Sequence, residues 1–452
     1  MDAIAASARI MTLLTLALLV SRVAVAADID QVQSRFETSC QPAVEAEFDH
    51  AVTLLHSFEY PETTRLFGEI LETDPGCAMA RWGLAMSLWH PLWAPPSPAE
   101  LEAGAAILAG TEGMAMTARE QGYIDALRAF YADTDPLNHR ARAQAYEERM
   151  SELYESHRDD VEAAVFYALS LLATQDPHDK SYAHQFKAAG ILNWVRESEP
   201  YHPGVLHYII HSYDYPGLAP LALGAATVYA EAAPDSAHAQ HMPSHIFTRL
   251  GLWERSIASN HDSTASAAAY TERAHLPGHY DEGLHSIDYL MYAMLQTGRD
   301  DEAYRLLQTL NGITKADVDT FKVAYTYAAS PARYALERRQ WEDASRLVLG
   351  PESFPWDEFA WAQSIHHFAR GIGAARSGQL DRAREERDTI RALGRSLGEA
   401  TLPYWAEEVS VQADIVAAWI AFAEGDGETA LSMARAAADR EDAVDKHPVT
   451  PG

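Results

Sequence analysis

The stretch FEYPETTRLFGEIL, residues 58–71, shows the pattern that organises most of this chain. A turn residue is followed by aromatic or polar residues, then by acidic ones, and then by apolar residues at three-to-four spacing. That spacing places the apolar side chains on one face of a helix. A related cadence, with alanine at the helix interface, returns in GLWERSIASN (251–260), GRDDEAYRLL (298–307), RQWEDASRLV (339–348), GQLDRAREE (378–386) and GDGETALSMA (425–434).

Helical spacing extends beyond these six segments to nearly the whole chain, and no alternation typical of strands is evident. The sequence has 452 residues, which is too long for one compact helical core and favours several units or a repeat array. Apolar residues make up 48% of the chain, enough to bury a core. The formal charge of −30 argues against nucleic acid as a partner.

The repeated helix pairs resemble the tetratricopeptide repeat, a 34-residue unit of two antiparallel helices. Phe67, Ile70 and Pro75 match that family's second helix and closing proline, and ARWGLA (80–85) matches its first helix. The resemblance implies an all-α, right-handed superhelical solenoid over residues 27–452, with a concave groove. Its consensus is weak in residues 100–200.

Four further segments resemble a group of secreted bacterial tetratricopeptide-repeat proteins: LLHSFEYPE, WGLAMSLWHPLWAPP, HPGVLHYIIHSYDYPGLAP and HMPSHIFTRLGLWERSIASN. This resemblance implies a fold and an export signal but no reaction. The chain stops just after a helix pair, whereas a solenoid normally ends in a polar capping helix. The sequence therefore favours a chain that is C-terminally truncated or that borrows its cap.

The N-terminus is typical of a secretory signal peptide, predicted over residues 1–26. The apolar run IMTLLTLALLV precedes a small-residue cleavage site that ends at Ala26. A retained N-terminal anchor is the alternative, because the positive charge before the run is weak. No later stretch is apolar enough to span a membrane, so we expect a periplasmic or secreted protein.

The chain has two cysteines, Cys40 and Cys77, which lie 37 residues apart and each precede a helical pattern. In an oxidising compartment such a pair predicts a disulfide bond. Two free buried thiols are the alternative.

Histidines recur in register with the repeats. When Gly217 is aligned with Gly251, 34 residues later, His207 falls over His241 and His211 falls over His245. Each pair is spaced i, i+4, so its two imidazoles share one helix face.

The same column extends to other repeats. HSFEYP (56–61) matches HSYDYP (211–216), which places His56 in the column, and His90 follows 34 residues later. Aligning Gly298 with Gly251 places His285 opposite His238 and Asp288 opposite His241.

A column of paired imidazoles predicts a transition-metal site, with copper or zinc as the first candidates and iron next. We expect imidazoles of the two i, i+4 pairs to converge on one ion between neighbouring helices. The aspartates of HSYD and HSID, Asp214 and Asp288, are candidates to ligate directly or to orient an imidazole. The predicted ligand set is His207, His211, His241 and His245 as the core, with His238, His285, Asp288, His56 and His90 as further members.

Three functions fit this pattern. The first is a metalloprotein with a groove-bound site, as an enzyme a metal-dependent oxidoreductase or hydrolase. The second is a non-enzymatic scaffold that holds a peptide or protein in the groove, and the third is a metal storage or delivery protein. The sequence contains no nucleotide-binding loop, no His-Glu-x-x-His motif and no nucleophile elbow, and neither cysteine belongs to a metal-type pair.

Overall fold

A computed structural model describes residues 34–92, 95–400 and 402–444, and this part of the chain is helical nearly throughout. An isolated β-bridge pairs His279 with Ala316. The N-terminal half contains α1 (Glu45–His56), α2 (Tyr60–Thr73), α3 (Ala78–Ser87), α4 (Pro98–Ala109), α5 (Ala118–Tyr131), α6 (His139–Ser156), α7 (Val161–Ala173), α8 (Ala183–Arg196), α9 (Pro203–Tyr213) and α10 (Ala219–Ala232).

The C-terminal half continues in the same way, and short 3₁₀ turns at Pro42–Val44, Pro136–Asn138 and Trp356–Glu358 complete the structure. Its helices are α11 (Ala237–His241), α12 (Pro243–Arg249), α13 (Trp253–Arg273), α14 (Asp281–Gln296), α15 (Asp300–Gly312), α16 (Phe321–Glu337), α17 (Trp341–Ser345), α18 (Ala360–Arg376), α19 (Leu380–Glu399), α20 (Pro403–Ala423) and α21 (Gly427–Ala443). The all-α prediction is confirmed.

The six repeated segments share one backbone feature. The first residue of each has a positive φ and ends the turn between two helices, at Phe58, Gly251, Gly298, Arg339, Gly378 and Gly425. Glycine adopts this conformation without strain, which explains why four of the six positions carry it. From Gly251 onward these turns lie more than 34 residues apart, so the repeats are longer than the predicted period.

The N-terminal helices pack against the middle of the chain as well as against their sequence neighbours. Helix α1 contacts α9, and one apolar core runs from Phe36 to Phe247. The buried Glu59 carboxylate accepts hydrogen bonds from the Ser236 hydroxyl, at 2.7 Å, and the Tyr280 hydroxyl, at 2.7 Å. These contacts hold the first repeat against the histidine-bearing helices α9, α11 and α14.

The structure places Cys40 and Cys77 at disulfide-bonding distance, with their Cα atoms 4.8 Å apart. Cys77 is the N-cap residue of α3, and Cys40 precedes the Pro42–Val44 turn, so each cysteine does precede a helical segment. The predicted signal peptide lies outside the described residues. Within those residues, no helix combines the length and the apolar character that crossing a bilayer requires.

Candidate metal centre

Six histidines of the predicted column form two separate triads. In each triad one nitrogen per ring lies within 4.8 Å of the others. We call them site 1, which is His207, His211 and His238, and site 2, which is His241, His245 and His285.

Three Nε2 atoms converge in site 1. The His207 Nε2 lies 3.0 Å from the His211 Nε2 and 3.1 Å from the His238 Nε2. His207 and His211 lie one turn apart on α9, and α11 brings His238 from the next repeat. Helix α11 begins at a Ser236 cap, whose hydroxyl accepts the Ala239 N–H.

Acceptors at the opposite ring nitrogen fix two tautomers in site 1. The His207 Nδ1 lies 2.7 Å from the backbone oxygen of His56, which can only accept. The His238 Nδ1 lies 3.2 Å from the Glu282 carboxylate. Burial opposes ionisation of Glu282, yet Lys322 and His238 hold its pKa well below the usual range. Both Nδ1 atoms therefore donate, and in a neutral ring the Nε2 atom is then left with a lone pair.

Site 2 is assembled in the same way around a helix break. His241 ends α11, and Pro243 begins α12 because proline cannot supply the N–H that a continuous helix needs. Across this break the Nε2 atoms of His241 and His245 lie 3.0 Å apart. His285 on α14 completes the triad, and its buried Nε2 has no hydrogen-bond partner among the residues that the structure describes.

The tautomers of site 2 are fixed by side chains. The His241 Nδ1 lies 2.6 Å from the Asn260 Oδ1, and the Asn260 amide nitrogen donates to the Ser256 carbonyl, which sets the orientation of that amide. The His245 Nδ1 lies 2.8 Å from an Asp214 oxygen. Burial opposes ionisation of Asp214, but His245 and Arg249 keep its pKa below the usual range. Again both Nδ1 atoms donate, so in neutral rings two Nε2 lone pairs face each other.

The surroundings disfavour protonation of these rings. Burial, followed by the neighbouring imidazoles, lowers the pKa of His207 and of His241 well below the usual value. Burial likewise lowers the pKa of His211 to about 3 and of His285 to about 3. Burial therefore favours the neutral form of His207 and His211 in site 1 and of His241 and His285 in site 2.

Different aromatic rings border the two sites. The Phe58 ring contacts all three rings of site 1, at centroid distances of 4.4 Å to His207, 5.8 Å to His211 and 5.7 Å to His238. The Tyr289 ring contacts all three rings of site 2, at 4.7, 4.9 and 5.5 Å.

The sites also differ in access. His245, His285 and Tyr289 line a cavity of about 1120 Å³, whereas none of the site 1 histidines lines it. Site 2 therefore adjoins a space large enough for a substrate, whereas the apolar Phe58 ring packs against site 1, whose His211 is partly exposed.

The remaining predicted ligands lie elsewhere. The ring nitrogens of His56 contact the Tyr208 hydroxyl, at 3.0 Å, and Glu162, at 2.8 Å. Glu162 also contacts the His202 Nε2 at 3.0 Å, so the carboxylate joins two buried histidines. His56 reaches site 1 only through its backbone oxygen.

His90 and Asp288 also lie outside both triads. The His90 ring stacks on Tyr60, with centroids 3.9 Å apart. Asp288 forms an ion pair with Arg333, at 2.6 Å, instead of approaching a histidine. Both aspartates were candidates to orient an imidazole. Asp214 does so, because its carboxylate accepts a hydrogen bond from the His245 Nδ1.

Several residues that contact the predicted histidines were not identified from the sequence. Glu282 precedes His285 by one helical turn, so its helix face was a usable signal. Asn260, Tyr289 and the His202–Glu162 pair carry no spacing signal, and Glu162 lies in the region of weak consensus.

Comparison with known protein families gives no matching family model, and comparison with curated proteins gives no match either.

Proposed function

We propose that this protein is an exported, tetratricopeptide-like solenoid that binds two transition-metal ions, one at each histidine triad, and acts as a metal-dependent enzyme at site 2. The stacked helix pairs hold three imidazoles in each site at fixed positions. The reaction class is a metal-dependent oxidation or hydrolysis.

The facing lone pairs carry this proposal. In each site two Nε2 atoms lie within 3.1 Å of each other while both Nδ1 atoms donate to fixed acceptors. Two neutral imidazoles in that arrangement repel each other, because neither has a proton to share. A cation between the lone pairs turns this repulsion into coordination.

The distances and donors suit copper and zinc. Imidazole nitrogens bind these ions at about 2.0–2.1 Å, and angles of about 90–120° at the metal then separate two nitrogens by about 2.9–3.6 Å. Neither triad includes a carboxylate, which disfavours magnesium and calcium. Neutral imidazole sets suit copper and zinc first, and iron next.

Catalysis at site 2 is favoured over storage because that site adjoins a cavity. Three protein ligands leave a coordination position for water or substrate, as in catalytic zinc sites. Tyr289 and His245 reach the same cavity, so a substrate there lies next to the ion. Export is supported by the predicted signal peptide and by the Cys40–Cys77 pair.

Elemental analysis of protein expressed in the periplasm tests the proposal. We expect two transition-metal ions per chain in the wild type and almost none in a His211→Ala, His245→Ala double variant, which removes one ligand from each site. His90→Ala, outside both triads, is the matched control and should retain both ions.

Wild-type protein without stoichiometric metal, even after anaerobic loading with copper, zinc and iron, would contradict the proposal. Full metal content in the double variant would show that other residues hold the ions.

A further inference from the structure

The cavity beside site 2 occupies the next position along the histidine column. His207 and His211 belong to one repeat of the column, and His241 and His245 to the next. In the repeat after that the equivalent residues are Asp288 and Tyr292, and both line the cavity. After site 2, therefore, the equivalent positions of the column carry residues of the cavity wall instead of predicted metal ligands.

Aromatic rings from five helices form much of this wall. Helices α14, α16, α17, α18 and α20 each contribute at least one ring. The principal rings are Tyr289, Tyr292, Phe321, Tyr325, Trp361 and Trp405.

Three rings of the wall lie nearly parallel to one another. Trp361 stacks on Trp405, with centroids 4.3 Å apart and planes inclined by 20°. Tyr325 lies nearly parallel to Trp361 at 6.5 Å. Planar rings of this kind favour planar aromatic ligands, which stack with offset or edge-to-face geometry.

Three of the four cations that line the cavity form ion pairs with carboxylates, and Arg339 is the fourth. Arg333 pairs with Asp288, Arg249 pairs with Asp214, and Lys322 pairs with Asp281 at 2.9 Å. A charged ligand would have to compete with these three ion pairs, whereas an aromatic ring can bind to the ring faces without breaking them.

We infer that the cavity binds a ligand with a planar aromatic ring system and presents it to site 2. This inference rests on the proposed function in one respect, namely that the bound ligand is the substrate of the reaction at site 2. Binding itself needs the cavity walls and not the metal. The volume of about 1120 Å³ suits a ligand larger than a single ring.

Isothermal titration calorimetry with β-naphthol and with decahydro-β-naphthol tests the inference, because the two compounds share a hydroxyl group and differ in aromaticity. We expect β-naphthol to bind about tenfold more tightly. The titration is run on metal-loaded and on metal-free protein. Binding in both forms supports the cavity assignment even where the metal proposal fails, and equal affinity for the two compounds overturns it.

Variants test where the ligand binds. Trp361→Leu should weaken β-naphthol binding about tenfold, and the milder Phe368→Leu, in the same wall, should weaken it less. Trp194→Leu removes an exposed indole outside the cavity and should leave the affinity unchanged. Thermal unfolding followed by circular dichroism verifies that each variant is folded. Unchanged affinity in both cavity variants overturns the assignment, as does the absence of β-naphthol binding to the wild type.

Discussion

Sites 1 and 2 share one arrangement of histidines but have different surroundings. In each, an i, i+4 histidine pair from one repeat is completed by a histidine from the next, and acceptors at Nδ1 leave the Nε2 lone pairs facing inward. Phe58 lies against site 1, whereas site 2 adjoins the cavity. The comparison teaches that the repeat sets the arrangement of the histidines, while a neighbouring ring or cavity sets what an ion bound at each site would reach.

Removing one ligand from either triad should give the largest effect, the loss of a whole ion. His238→Ala should remove the ion of site 1 only, and His241→Ala should remove the ion of site 2 only, because two remaining imidazoles bind far more weakly. Metal content measured after dialysis against a weak chelator should fall from two ions to one in each. Loss of both ions from either folded variant would mean that the two triads form a single site.

Stability of the metal-free protein should depend on pH through both sites. The folded-state pKa values of His211 and His285 are about 3, below the value of about 6.5 in an unfolded chain. Between these values the unfolded chain binds more protons, so the free energy of unfolding should fall as pH drops below about 6.5. At pH ~5 the two groups together cost about 2–4 kcal/mol.

Urea unfolding across that pH range measures this dependence. A His211→Gln or His285→Gln variant should each show a shallower slope than the wild type. A slope that is unchanged in both would contradict the low pKa values.

Two carboxylates accept a hydrogen bond from the Nδ1 of a predicted ligand histidine, and each should affect the metal affinity of one site. Asp214→Asn should weaken metal binding at site 2 about 10- to 100-fold, and Glu282→Gln should do the same at site 1, because each removes the charge that orients an imidazole. Competition with a chromophoric chelator measures both affinities. An equal effect of either substitution on both sites would show that the sites are energetically coupled.

Azide should distinguish the ion of site 2, which adjoins the cavity, from the ion of site 1, which lies beside Phe58. With copper bound, azide should change the visible spectrum of His238→Ala protein, which keeps site 2, and leave that of His241→Ala protein unchanged. Phe58→Gly should open site 1 to azide, since glycine accepts the positive φ of this position and removes the covering ring. Equal azide binding at both sites without that substitution would contradict the difference in access.

The repeat pattern predicted the helical fold and the register of the histidines, because both follow from local spacing. The six turns at Phe58, Gly251 and their equivalents were visible as a cadence, and the i, i+4 pairs came from aligning Gly217 with Gly251. These features depend on residues close in the chain, so they can be derived without a tertiary structure.

The division into two sites was not predictable in the same way. We expected both pairs to share one ion, whereas His238 and His285 each arrive from the following repeat and complete a separate triad. The direction of those side chains depends on how neighbouring helices pack. His56 was in register but lies against Glu162, a residue from the region where the repeat consensus is weak.

A crystal structure of the metal-loaded protein, with anomalous data collected at the absorption edge of the bound metal, tests the central claim most directly. The account predicts two anomalous peaks, one within about 2.0–2.1 Å of the Nε2 atoms of His207, His211 and His238 and one at site 2, held by His241, His245 and His285. A single peak, peaks at other residues, or hydrogen-bonded imidazoles without any peak would contradict it.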